Sequence, residues 1–234
     1  ILLLCCMVLT LLPTTAFAAG EIDEQFILAP GGTYYFDLSA MGIPGTVNDA
    51  LPDKTMRYVP FTYAGTVDSY KLTSEMATTE EYAQQSKYAH SLFIADFAVT
   101  HAVSWDNLNA KGLIFGKNYT AGGVSYTLRA PSVGSDSAGS GDSQHGTPQS
   151  NEWDRILDKN DGYIKNWSRM HSWGQDISRS SWTSRAVRGY SSARFWGYNR
   201  ATRSSPYVGF RPVLEILKPG TLGSDGLKAV TLDL

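Results

Sequence analysis

Cysteine is confined to the first six of the 234 residues, as Cys5 and Cys6, inside the apolar run from Ile1 to Leu12. Ala16-Phe17-Ala18 follows, with small residues at the two positions a signal peptidase reads, so residues 1–18 read as a secretory signal peptide whose charged n-region is missing. A chain cut there keeps no cysteine, which excludes a cysteine nucleophile, a cysteine-held metal, a redox pair and any disulfide. Long hydrophobic runs are also missing after the leader. None approaches the ~20 apolar residues a bilayer span needs, so no membrane span is expected in the mature chain. Charge of one sign is lacking too: 20 Lys+Arg against 22 Asp+Glu leave a formal charge of −2, too near neutral to argue for nucleic acid or an acidic membrane as the general partner. Histidine is scarce, and His90, His101, His145 and His171 are scattered along the chain. No metal site is legible in them, and no cofactor is expected. Export without disulfides points to a bacterial secreted or cell-surface protein whose fold rests on packing.

What is present is the composition of a chain that buries a core, 42% hydrophobic and 18% charged. Residues 26–38 hold Pro30-Gly31-Gly32 before Tyr34, Tyr35 and Phe36, and residues 57–72 alternate apolar with polar, both strand signals. Thr78 to Tyr88 and Ser104 to Leu113 carry hydroxyl caps and helix formers, and predict short helices. Gly122 to Ala130 predicts a hairpin strand with Val124, Tyr126 and Leu128 on one face. Residues 131–150 are almost wholly Gly, Ser, Asp, Pro and Thr, and are expected to form a mobile, exposed insertion. Ser150 or Asn151 then caps a helix whose Trp153, Ile156 and Leu157 make one apolar stripe. The expected architecture is one α+β domain over residues 26–217, short helices around small antiparallel sheets with high loop content. Residues 218–234 read as a linker or the start of a further region.

Residues 177–214 differ from the rest. They carry seven of the eleven arginines and no acid, interleaved with Trp182, Tyr190, Phe195, Trp196, Tyr198, Tyr207 and Phe210. Arg supplies forked donors, aromatic rings supply rigid contact area, and Ser and Gly supply tolerance, which is the composition of an adaptable recognition surface. A sheet-rich segment with core aromatics and solvating arginines would have the same composition.

Arg185-Ala186-Val187-Arg188-Gly189, then Arg200, then Val208-Gly209-Phe210-Arg211-Pro212-Val213 resemble the C-terminal signature of the formylglycine-generating enzyme, or sulfatase-modifying factor, superfamily. That resemblance implies a C-type-lectin-like fold. Members run R-x-x-R-G-G-S-W into a variable loop and close with G-F-R; here Tyr190 and Ser192 stand where the second glycine and the tryptophan would be. The enzymatic branches need cysteine thiolates or a histidine cluster, so the resemblance is not to an enzyme. The chain is more similar to the variable proteins of diversity-generating retroelements, which use this fold to display a diversified segment. Their template adenines, most often in AAC codons, become NNC codons that cannot encode Lys, Glu, Gln, Met or Trp. The first four make up 27 of the 234 residues, so a 38-residue window is expected to hold about four; residues 177–214 hold none. Trp182 and Trp196 are then fixed positions.

The resemblance implies a division of labour. Tyr190, Ser191, Arg194, Phe195, Tyr198, Asn199, Thr202, Arg203, Ser205 and Tyr207 are the expected exposed, ligand-binding set. Trp153, Trp173, Arg188, Gly189, Trp196, Gly209, Phe210 and Arg211 are the expected structural set, with Arg188 and Arg211 pairing with buried acceptors such as Asp154 or Glu215. The expected function is a display protein whose partner is a protein or glycan on another cell or a phage surface. Two alternatives stay open: a fixed adhesin or glycan-binding module without diversification, and an enzyme on the same fold using Asp154, Asp158, Asp161 and Asp176.

Overall fold

A computed structural model describes residues 28–217; the expected leader at 1–18 and the expected linker at 218–234 lie outside the described residues. The described chain is mostly antiparallel β-sheet with a few short helices. One six-stranded sheet has the order β1 (Thr33–Phe36), β3 (Val59–Ser69), β4 (Tyr88–Ala95), β14 (Val213–Ile216), β7 (Val124–Arg129), β6 (Lys117–Ala121). A second has the order β12 (Trp196–Arg200), β11 (Ser181–Gly189), β10 (His171–Ser178), β13 (Val208–Phe210), β5 (Thr100–His101), β2 (Thr46–Val47). In it β10 and β13 run parallel.

Period-two alternation decides which core each side chain enters. Phe93 and Ala95 of β4 join a large cluster with Phe36, Phe61, Trp105, Trp173 and Phe210, while Leu92 and Ile94 point the other way, to Trp153, Ile156 and Leu157. The latter belong to α3 (Glu152–Lys159), capped by Asn151, whose side chain accepts from the Asp154 amide. Val124, Tyr126 and Leu128 enter the large cluster from β7. The alternation expected for residues 57–72 is thus only half of β3: Val59 to Gly65 is buried without interruption, because α3 covers the face that the pattern would leave wet. Helix α1 (Glu80–Ser86) begins at Thr79 and α2 (Trp105–Asn109) at Ser104, each hydroxyl accepting from an amide three residues on.

The segment 131–150 is exposed mainly at its tip, Ser137 and residues 139–143, and not along its whole length as expected. Pro131 to Ser135 is buried, and Asp136–Ala138 pairs with His145–Thr147 as the hairpin β8–β9. Three buried carboxylates hold its amides: Glu152 accepts from Ser132 N (2.9 Å), Asp176 from Val133 N (2.7 Å) and Asp154 from Gly146 N (2.7 Å). Its glycines serve close approach. A Cβ on Gly146 would stand 2.1 Å from the Val133 carbonyl oxygen, and one on Gly134, at φ +85°, 2.7 Å from the Thr147 nitrogen. A composition poor in apolar surface is held here by hydrogen bonds to carboxylates outside it, Glu152 and Asp154 on the helix that follows and Asp176 on β10.

Candidate ligand-binding surface

Strand β11 carries cleft residues, Ser181 and Ser184, toward its start and frame residues toward its end. Ala186 and Arg188 face α3, where the Arg188 guanidinium, fully buried, meets Asp154 at 2.5 Å and donates to the Val133 carbonyl at 3.1 Å. The expected Arg188–Asp154 pair is therefore present. Arg211 differs: it is fully buried, but its donors go to Ser172 Oγ (3.1 Å) and to the carbonyls of Ala95 (2.8 Å) and Asn166 (3.0 Å). Burial presses its pKa down to about 10, with Asp96 opposing. Glu215, offered by the sequence as its partner, serves Arg129, Lys71 and Tyr88 instead. Glu215 belongs to a buried network in which Arg129 bridges it to Glu152.

Trp153, Trp173, Trp196, Gly189, Gly209 and Phe210 are all buried as well. Each indole N–H has a carbonyl acceptor: Trp153 to Ala193 (2.9 Å), Trp173 to Val103 (2.9 Å), Trp196 to Gly134 (3.0 Å). A Cβ on Gly209 would meet the Thr100 carbonyl oxygen at 2.4 Å.

The loops between β11, β12 and β13 hold eight of the ten predicted contact residues, with Tyr198 and Asn199 on β12 itself, and the loops are tied down through main chain. Trp153 takes the carbonyl of Ala193, and Arg188 that of Arg194 (3.2 Å). The amide of Arg169 takes the carbonyl of Tyr190, that of Ala102 the carbonyl of Ser205, and that of His171 the carbonyl of Tyr207. Anchoring of this kind does not depend on which side chain the anchored residue carries.

Most of the predicted set reaches solvent. Tyr198 and Tyr207 are 51% and 55% exposed, Tyr190 38%, and Ser191, Thr202 and Arg203 are exposed while Asn199 and Phe195 are half-buried. Two members differ. Ser205 is buried, its hydroxyl accepting from the Tyr207 amide in the turn before β13. Arg194 is held by Asp158 (3.2 Å) and Asp161 (2.8 Å), so its charge is already matched.

All of the set but the buried Ser205 falls into three groups, the first of which also takes in Arg200. Tyr198, Asn199, Arg200, Thr202 and Arg203 line an open cleft of about 600 Å³ together with Ser181 and Ser184 of β11. Ser191 and Arg194 line a second, of about 580 Å³, with Asp142, Asp161 and Trp167. Tyr190 and Phe195 pack on His171, with ring centroids 4.6 Å and 5.6 Å away, and Tyr207 meets Tyr190 edge-on at 6.3 Å. Burial lowers the His171 pKa to about 4, and the Arg203 charge adds to the effect. Comparison with protein-family models, curated proteins and solved structures returned no match to this chain.

Sequence reasoning passed over Arg200, Ser181, Ser184 and His171 as contact residues. Arg200 was legible, since it shares the parity of β12 with the exposed Tyr198; Ser184 enters only because it is the cross-strand partner of Arg200. The carboxylates of the enzymatic alternative are otherwise engaged. Asp154 and Asp176 are fully buried acceptors, and Asp176 receives Tyr70 Oη (2.8 Å), Thr78 Oγ1 and the Val133 amide, while Asp158 and Asp161 pair with Arg194.

Proposed function

We propose that the chain is a secreted or surface binding protein, a C-type-lectin-like display domain whose recognition surface is the segment 177–214, diversified from one copy to the next. The observation that carries this reading is the separation within that segment between main chain and side chain. The backbone at Tyr190, Ala193, Arg194, Ser205 and Tyr207 is held by hydrogen bonds to frame residues, whereas Tyr190, Ser191, Tyr198, Thr202, Arg203 and Tyr207 present exposed side chains. Such a surface tolerates exchange at those positions without losing its shape. Position 190 lends further support: Tyr190 adopts φ +97° directly after Gly189 at +86°, the backbone that favours glycine, where the resembled signature has its second glycine.

Sequencing the DNA for residues 177–214 from many cells of one source population, with several kilobases downstream, tests the reading. Substitutions confined to template adenines, with Trp182, Trp196, Gly209 and Arg211 constant and a reverse transcriptase gene nearby, are the expected result. A uniform segment without a template repeat would instead assign a fixed adhesin or glycan-binding module.

A further inference from the structure

The seven arginines of residues 177–214 sort into two kinds. Arg188 is matched by Asp154, Arg194 by Asp158 and Asp161, Arg185 by Glu75, and Arg211 by a hydroxyl and two carbonyls. Arg179, Arg200 and Arg203 are exposed, and their guanidinium groups have no acid, hydroxyl or carbonyl partner among the described residues. Two of these three, Arg200 and Arg203, line the same cleft of about 600 Å³. No carboxylate lines it. Its other groups are the hydroxyls of Thr202 and Ser181, the latter accepting from the buried Ser184 hydroxyl (3.1 Å), together with the Asn199 amide and the Tyr198 ring.

Resting on the reading of this surface as a binding site, we propose that this cleft takes an anionic sugar, one carrying a ring or side-chain carboxylate such as a uronic or sialic acid. Each part of such a ligand has a counterpart. A carboxylate takes two parallel N–H donors from a planar guanidinium, and two unmatched guanidinium groups are at hand. Sugar hydroxyls exchange donors and acceptors with Ser, Thr and Asn side chains, which do both. The apolar C–H face of a pyranose packs on an exposed aromatic ring, and Tyr198 is half-exposed and steadied from behind by Trp196, 6.1 Å away between ring centroids. A cleft of this volume is of the size that holds small ligands. The polar lining favours a polyol over an extended acidic peptide, whose backbone and apolar stems would leave most of the hydroxyls unused.

Isothermal titration of the whole chain with digalacturonic acid, N-acetylneuraminic acid, the dimethyl ester of digalacturonic acid and a glutamate-rich peptide separates the possibilities. The expected result is binding of at least one acidic sugar. The neutral ester should bind at least tenfold more weakly than its parent acid, and affinity should fall as salt is raised. Arg200→Gln with Arg203→Gln should weaken binding at least tenfold with the melting temperature unchanged, since neither side chain has an internal partner. No acidic sugar binding at millimolar concentration, or ester and acid binding alike, overturns the inference. Tighter binding of the peptide than of any sugar also overturns it, in favour of an acidic protein. If the sugars fail while Tyr198→Ala with Arg203→Ala abolishes attachment to intact target cells, the binding-protein reading stands and only the anionic-sugar assignment falls.

Discussion

Arg188 and Arg203 belong to one Arg-rich stretch and meet opposite surroundings. The first is removed from water, with Asp154, the Val133 carbonyl and the Arg194 carbonyl around it. The second stands in solvent at the rim of a cleft. A guanidinium taken out of water demands that nearly all its donors be filled, so every neighbour of Arg188 is constrained in position. A hydrated one constrains nothing, and its replacement costs little. The same contrast separates Trp196, pinned to Gly134, from Tyr198 two residues on, and Gly189 from Tyr190. The lesson is that a single segment can hold both a rigid frame and an exposed surface when position along the strands and main-chain anchoring divide them.

Removing Asp154 breaks the contrast most severely. Asp154→Ala leaves the buried Arg188 charge uncompensated, strips the acceptor from the Gly146 amide and removes one of the acceptors of the Asn151 side chain; a loss of about 3–5 kcal/mol is expected. Denaturant unfolding measures it, and a change below about 1 kcal/mol would mean that Arg188 is not frame.

Acid separates frame from surface by pH. Burial alone would raise the Glu152 pKa, but the Arg129 charge and hydrogen bonds, helped by His90, override it and hold the carboxyl at about 2 against an ordinary 4.5. A depressed carboxylate contributes stability that is whole above 4.5 and is lost as pH falls from there toward 2. His171 lies in a different window. Its neutral ring is favoured in the fold, so its contribution is whole above 6.5 and is lost as pH falls from there toward 4. Melting temperature against pH should therefore decline in two steps, with Glu152→Gln flattening the lower one. Arg203→Ala should shift the His171 NMR titration upward; an unmoved midpoint would break the link between the cleft and the aromatic group.

The smallest effects sharpen the contrast at adjacent residues. Gly189→Ala should cost about 1–3 kcal/mol, because φ is +86° and the new Cβ would meet the Met170 carbonyl oxygen at 3.0 Å. Tyr190→Gly relieves a residue at φ +97° and should leave stability within about 1 kcal/mol of the native chain despite losing the His171 contact. Thermal melts of the two variants side by side decide it; equal losses would place Tyr190 in the frame.

Local signals were the most legible part of the chain. A Ser, Thr or Asn before a run of helix formers capped each helix near the position the sequence indicated, because a cap is satisfied within three residues. The apolar face of β7 was readable for a similar reason, since alternation is written in consecutive residues. The buried part of segment 131–150 was not, because its low apolar content says nothing of the three carboxylates, on the next helix and on β10, that hold its amides. Ser205 was misplaced for want of the turn that buries it, and Arg194 for want of Asp158 and Asp161 across the groove.

The sequence by itself determined that cysteine chemistry is excluded from residues 28–217, that the chain builds short capped helices and alternating strands, and that arginine and aromatic residues concentrate in 177–214. These are properties of composition and near neighbours. Only the tertiary structure decided which of those arginines are enclosed and which are open, which glycines admit a passing backbone, and that two unmatched guanidinium groups share one cleft. Burial and pairing arise from strands brought together across the whole chain, and the cost of desolvating a charge depends on what stands beside it in space.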